Sequence, residues 1–89
     1  MLVEKQIINN DLSSAFAGVI SDDKKIIVLG KMSGKIYIYQ YDSTNGNYKY
    51  NHSLTGHDSL IRHIEISKNH IIMVVSTFGN KVYVYVYNG

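Results

Sequence analysis

The amino-acid sequence predicts an all-β fold of short antiparallel strands. An internal repeat, several runs of β-branched and aromatic residues, and polar turn sequences between those runs all favour it. The 89 residues suit one small domain, since single domains cluster at roughly 100–150 residues. With 45% hydrophobic and 18% charged residues, the chain can form a packed core. We therefore expect a single domain over residues 1–89.

The internal repeat aligns residues 21–41 with residues 67–87, 46 positions apart and without a gap. The identical pairs are Ser21/Ser67, Ile26/Ile72, Val28/Val74, Lys35/Lys81, Tyr37/Tyr83, Tyr39/Tyr85 and Tyr41/Tyr87. Most are apolar or aromatic positions, which a shared packing arrangement would require. We place repeat 1 at about residues 3–48 and repeat 2 at about residues 49–88.

Eight strands are expected, four in each repeat, and each is bounded by residue types that favour turns. They span residues 3–8, 14–20, 25–31, 35–42, 48–54, 61–67, 71–77 and 81–87. The turn at Asn45-Gly46 is the most diagnostic, because both residue types tolerate a positive φ. The last strand alternates valine with tyrosine and has Lys81 as its only charge, so we expect both of its faces to be covered.

Residues 54–85 resemble a WD40 repeat, in which a Gly-His pair precedes the inner strand and a Trp-Asp pair closes the third. Gly56-His57 matches the first pair, and Asn10-Asp11 aligns with it in repeat 1. The second pair is replaced by Tyr39-Gln40 in repeat 1 and by Tyr85-Val86 in repeat 2. The resemblance implies two four-stranded antiparallel blades of a WD40-like β-propeller, a partial propeller of eight strands. It also implies a hydrogen-bond network of His57, Ser76 or Thr77, and the Tyr85 hydroxyl.

In that family each sequence repeat begins with the outermost strand of the preceding blade. The resemblance therefore implies one complete blade from the second to fifth strands and one blade without its outer strand from the sixth to eighth. The edge strand 81–87 would then carry unpaired backbone groups, which are a template for pairing. We expect residues 3–8 of another copy, a different subunit or the rest of a longer chain to pair with it.

The expected function is a non-enzymatic protein–protein interaction or scaffold module. By the resemblance, partners dock on the loops that join the outer to the inner strand and the second to the third strand. The candidate binding residues on these loops carry charge or apolar bulk: Asp11, Lys31, Met32, His57, Asp58 and Phe78. The alternative interpretation is that these loops are ordinary solvated turns.

A small self-associating, carbohydrate-binding propeller is the alternative function. Tyr48 and Tyr50 lie on an outer strand, where aromatic rings could stack on sugar rings. The other six tyrosines occupy positions matched between the repeats, where packing between blades would use them.

The remaining patterns argue against other classes of function. Nine Lys+Arg against seven Asp+Glu give a net charge of only +2, so we expect no nucleic-acid partner. The four histidines have no metal-ligand spacing, and the consecutive His57, Asp58 and Ser59 cannot form a catalytic triad, so we expect no metal, no cofactor and no enzyme activity. The absence of an apolar run of about 18 residues or of an apolar leader predicts a cytoplasmic protein without a membrane partner.

Overall fold

The computed structural model is all-β and describes residues 2–8, 15–57, 60–69, 72–79 and 81–86. Seven strands lie in these ranges: β1 (Ala15–Ile20), β2 (Ile26–Lys31), β3 (Ile36–Asp42), β4 (Asn47–Leu54), β5 (Ile61–Ile66), β6 (Ile72–Thr77) and β7 (Val82–Val86). Each begins and ends within one residue of the strand predicted from sequence. The described residues contain no helix that could cross a bilayer.

The strands form two antiparallel sheets. Sheet A has the order β1-β2-β3-β4 and sheet B has the order β5-β6-β7. Strands that follow each other in the chain are neighbours within each sheet, which is why short polar turns suffice to connect them. The all-β prediction and the division into four and three strands are confirmed, whereas the first of the eight expected strands, residues 3–8, is wrong.

The error concerns residues 3–8, which are described and belong to no strand. Gln6 instead places its side chain at the free edge of β4, where its Nε2 donates to the Tyr48 carbonyl and its Oε1 accepts the Tyr48 N–H, both at 2.9 Å. A side-chain amide thus satisfies the two backbone groups that a neighbouring strand would otherwise pair. The segment therefore does not need strand conformation to meet the edge of β4.

The repeat seen in the sequence extends to details of the backbone. The Ser21 N–H donates to the Ile26 carbonyl at 2.9 Å, and the Ser67 N–H donates to the Ile72 carbonyl at 2.8 Å. Each serine Oγ also accepts the N–H of the same isoleucine, at 2.9 and 3.0 Å respectively. The innermost strands are irregular at matched places, between residues 15 and 17 and between residues 61 and 63. Sheets A and B are therefore two copies of one structural unit.

The predicted turn at Asn45-Gly46 joins β3 to β4, and Gly46 has the expected positive φ of 72°. Its N–H donates to the Asp42 carbonyl at 2.8 Å. The Asp42 carboxylate accepts bonds from the Asn45 side chain at 2.7 Å and the Thr44 N–H at 3.0 Å. These bonds, that from Asn45 above all, lower the pKa of Asp42 and stabilise the turn.

Each sheet has two faces, which differ in composition and recur in both repeats. Directly opposed residues of neighbouring strands share a face, so the registers of the central strands define an Ile/Val face and a Tyr face. The Ile/Val face contains Ile26, Val28, Ile36 and Ile38 in sheet A, and Ile72, Val74, Val82 and Val84 in sheet B. The Tyr face contains Ile27, Leu29, Tyr37 and Tyr39 in sheet A, and Met73, Val75, Tyr83 and Tyr85 in sheet B.

The core lies between the Ile/Val face of sheet A and the Tyr face of sheet B. Its buried members are Val28, Ile36, Ile61, Ile64 and Val75. The closest approach is at Gly30, where an added Cβ would lie 2.7 Å from the Cγ2 atom of Ile61. A glycine at this position therefore lets β2 approach β5 closely.

Candidate interaction surfaces

His57 holds the two sheets together from the connection between β4 and β5. Its Nδ1 lies 2.6 Å from the Gly34 carbonyl, in the turn between β2 and β3, and its Nε2 lies 2.7 Å from the Tyr85 hydroxyl on β7. The ring also meets Tyr83 edge-on, with 4.7 Å between centroids. One half-buried imidazole thus connects the linker, sheet A and sheet B.

The partners of His57 determine how protons are placed in this network. A carbonyl only accepts, so Nδ1 donates to Gly34, and the remaining ring nitrogen of a neutral imidazole accepts from the Tyr85 hydroxyl. Burial, with a smaller contribution from Tyr83, raises the pKa of the Tyr85 hydroxyl above its ordinary value of 10.0. Tyr85 therefore stays protonated and keeps donating at neutral pH.

The sequence predicted the His57–Tyr85 contact but not the contact with Gly34. A backbone carbonyl in a distant turn cannot be predicted from residue types, whereas the family resemblance implied the tyrosine. The Thr77 hydroxyl, the other expected partner, accepts the Gly79 N–H at 3.2 Å.

Three connections lie at the same end of the two sheets as His57. They are the turn between β2 and β3, the β4–β5 connection, of which residues 55–57 and Leu60 are described, and the β6–β7 turn, of which Phe78, Gly79 and Lys81 are described. The His57–Gly34 bond joins the first two, and the Phe78 N–H donates to the Leu60 carbonyl at 3.2 Å to join the last two. We call this end the loop surface. It contains four of the predicted binding residues: Lys31, Met32, His57 and Phe78. The other two, Asp11 and Asp58, lie outside the described residues.

The loop surface exposes two large apolar side chains. Met32 is 49% exposed and Phe78 is 58% exposed, so Phe78 points into solvent rather than under sheet B. The Arg62 guanidinium lies 5.8 Å from the centre of the Phe78 ring and holds it by a cation–π contact. Arg62 was not predicted from the sequence, because its relation to Phe78 depends on the pairing of β5 with β6.

A second candidate surface is the Ile/Val face of sheet B, which no described part of the chain covers. Val82, Val84 and Val86 are each 62–63% exposed, and Ile72 is 43% exposed. The expectation that both faces of the last strand are covered is therefore wrong for the single chain. The reason is that only the Tyr face of β7 meets sheet A, and the described residues provide no third layer. In the same residues, no strand pairs with the outer edge of β7.

A third candidate surface is the Tyr face of sheet A. Ile20, Tyr41 and Tyr50 on this face are 43–48% exposed, whereas Tyr37 and Tyr39 are buried, at 6% and 3% exposure, so that only part of the face is open. The N-terminal segment 2–8 lies along one end of it and forms a groove of about 330 Å³ with Ile27 and Tyr48. The two open sheet faces therefore lie on opposite sides of the molecule.

The tyrosines of the carbohydrate alternative are engaged within the chain. The Tyr48 hydroxyl donates to the Lys24 carbonyl, and its ring meets Tyr41 edge-on at 5.3 Å. The Tyr50 hydroxyl donates to the Ser53 Oγ at 3.1 Å. The two rings that would stack on a sugar thus already contact other tyrosines of the chain, since the Tyr50 ring also meets Tyr37 and Tyr39 edge-on at 6.1 and 5.9 Å.

Within the described ranges, no three His, Asp or Glu side chains come together as metal ligands. Asp58 and Ser59, which adjoin His57 and were not expected to form a triad with it, lie outside those ranges. Both ring nitrogens of His57 are occupied by structural bonds. No protein-family model and no curated protein matches the chain.

Proposed function

We propose that this chain is a non-enzymatic protein–protein interaction or scaffold module. It acts in the cytoplasm as a two-blade, WD40-like segment, whose blades are sheets A and B. It completes a β-propeller with other copies, another subunit or the rest of a longer chain.

The observation that carries the proposal is the contrast between equivalent residues of the two sheets. Ile36 is 0% exposed in sheet A, whereas its equivalent in sheet B, Val82, is 63% exposed. Exposed apolar residues that form a contiguous patch mark interaction sites on folded proteins. The open edge of β7 borders the same patch and offers unpaired backbone groups.

The mechanism of the proposed module is rigid presentation. The His57 bonds hold the β2–β3 turn, residues 55–57 and β7 together, and the Arg62 contact holds the Phe78 ring. A partner then meets Met32 and Phe78 in fixed positions, so less binding free energy is lost in ordering loops.

Site-specific photo-crosslinking in the cells that make the protein tests this function. A photoreactive amino acid replaces Val84 in one variant and Phe78 in another, and the adducts are identified by mass spectrometry. We expect protein adducts from both positions, whether the captured protein is another copy or a different chain. Position 43 on the β3–β4 turn, which is exposed and lies outside all three surfaces, is the matched control and should give none.

The absence of an adduct from both positions, in protein that is folded and expressed normally, would overturn the interaction module. A glycan array separates the module from the carbohydrate alternative. Binding of the purified chain to a simple sugar, lost in Tyr50→Ala, would favour the alternative.

A further inference from the structure

We infer that copies of this chain assemble head to tail, with the Ile/Val face of sheet B in one copy seated on the Tyr face of sheet A in the next. This inference rests on the proposed function and names the partner of its open face: a second copy of the same chain.

The interface inside the chain provides the template. There, the Ile/Val face of sheet A packs on the Tyr face of sheet B, so two structurally equivalent units meet through different faces. Such a contact is heterologous, because each unit uses a different patch. A heterologous contact always leaves one face of each kind free at the two ends of the stack.

The faces exposed at the two ends of the chain are one Ile/Val face and one Tyr face, the two kinds that pack together inside it. Sheet B leaves its Ile/Val face open, with Val84 in the place that Ile38 occupies in the core. Sheet A leaves the part of its Tyr face around Ile20, Tyr41 and Tyr50 open, while Tyr37 and Tyr39 are already buried within the chain. Ile20 has the place that Ile66 occupies in the core. Both Ile38 and Ile66 are partly buried against the intrachain core. The same packing can therefore be repeated between chains.

The two repeats differ within these faces. On the first strand of each sheet, the polar residues His63 and Glu65 of sheet B replace Ala17 and Val19 of sheet A on the Ile/Val face. Their side chains are exposed in the single chain and bond to each other at 3.1 Å. Association would bury this pair, and their mutual bond offsets part of the desolvation cost. On the Tyr face, Gly18 of sheet A replaces the buried Ile64 of sheet B, and Leu29 Cδ2 lies 3.0 Å from the position of a Gly18 Cβ.

The N-terminal segment fits the same arrangement. Residues 2–8 precede β1 as β4 precedes β5, and the offset of the repeat aligns them with β4. Since β4 pairs with β3, the equivalent partner of residues 2–8 is β7 of the neighbouring copy. Leu2, Val3 and Ile7 are 68–100% exposed in the single chain. On assembly the segment leaves the edge of β4 and becomes the fourth strand of the adjacent sheet B.

Light scattering on the purified chain tests the association. We expect oligomers whose masses are multiples of 10.1 kDa, with three or four copies giving rings of six or eight sheets. Val84→Lys and Ile20→Lys should each give folded monomers, because either lysine places a charge in the interface. Ser43→Lys, on the exposed β3–β4 turn outside all three surfaces, should associate like the wild type.

Mixing the two monomeric variants tests the head-to-tail geometry. Val84→Lys retains an intact Tyr face on sheet A, and Ile20→Lys retains an intact Ile/Val face on sheet B. An equimolar mixture should therefore form a one-to-one dimer through the single intact interface. If Ile20→Lys alone dimerises, the Ile/Val faces pair with each other and the inference is wrong.

Cysteine variants provide a measurement that does not depend on tolerance of a buried charge. The chain has no cysteine, so Val84→Cys and Ile20→Cys copies can be mixed and joined by a flexible thiol-reactive crosslinker without background. We expect the mixed crosslink to exceed either homodimer. A folded, monomeric wild-type chain without the mixed crosslink overturns self-assembly, yet the interaction module survives if the photoreactive residue at position 84 captures a different protein. Absence of any adduct there and at position 78 removes both proposals.

Discussion

At the scale of single residues, His57 connects the two halves of the molecule. It reaches a carbonyl of sheet A and a hydroxyl of sheet B, so its contribution depends on both sheets being in place. Bonds of this kind act as a network, and their coupling is measured by comparing single and double substitutions.

We predict that Tyr85→Phe lowers the free energy of unfolding by about 1 kcal/mol, because it removes one part-buried hydrogen bond. His57→Phe should cost more, since it removes both bonds. In the double variant, Tyr85→Phe should have little additional effect. Urea denaturation at a fixed protein concentration measures all four proteins. Simple additivity of the two losses would show that the hydroxyl and the imidazole do not act together.

Tyr85 also makes stability depend on alkaline pH. Because burial raises the pKa of its hydroxyl above 10.0, the folded chain holds a proton that the unfolded chain releases. This contribution is fully present below pH 10.0 and is lost as the pH rises through the pKa of the folded state. The stability advantage of the wild type over Tyr85→Phe should therefore shrink above that pH. An advantage that stays constant across the range would contradict the raised pKa.

At the scale of elements, the contact between β2 and β5 sets the spacing of the sheets. We predict that Gly30→Ala lowers the free energy of unfolding by roughly 1–3 kcal/mol, because its Cβ would overlap the Cβ and Cγ2 of Ile61. Gly18→Ala is the control, since its Cβ would meet only the end of the flexible Leu29 side chain at 3.0 Å. Equal losses in the two variants would rule out close packing at Gly30 as the cause.

The strands could be predicted because their pattern is local. Runs of β-branched and aromatic residues, bounded by turn residues, located β1 to β7 within one residue, and the resemblance to WD40 repeats implied how they divide between sheets. Residues 3–8 were wrongly predicted as a strand. A strand also requires a neighbouring strand to pair with, and here Gln6 contacts the edge of β4 with its side chain instead.

The candidate surfaces were less predictable than the strands. Composition placed Met32 and Phe78 on loops, but it could not show which face of β7 meets sheet A. That choice depends on how two sheets stack, and the exposure of Val84 follows from it. For the same reason, Arg62 and the Gly34 carbonyl are visible only once the strands are paired.

At the scale of the whole molecule, the chain is an open unit. A domain of this length buries only about 60–65% of its unfolded surface, and stacked repeats generally need three or more units for a continuous core. Each of the two sheets packs only one face against the core. The Ile/Val face of sheet B, the exposed part of the Tyr face of sheet A and the edge of β7 are therefore available to another protein surface. We therefore expect the edge of β7 to be covered when the protein is folded in solution.

Amide hydrogen exchange in β7 measures whether the outer edge of this strand is covered. Alternate N–H groups of the strand point toward β6 and away from it. In the wild-type chain we predict protection of both sets, whereas in monomeric Val84→Lys only the set bonded to β6 should be protected. Rapid exchange of the outward set in a folded wild-type chain, at the rate seen in the variant, would show that β7 remains a bare edge and would contradict this expectation.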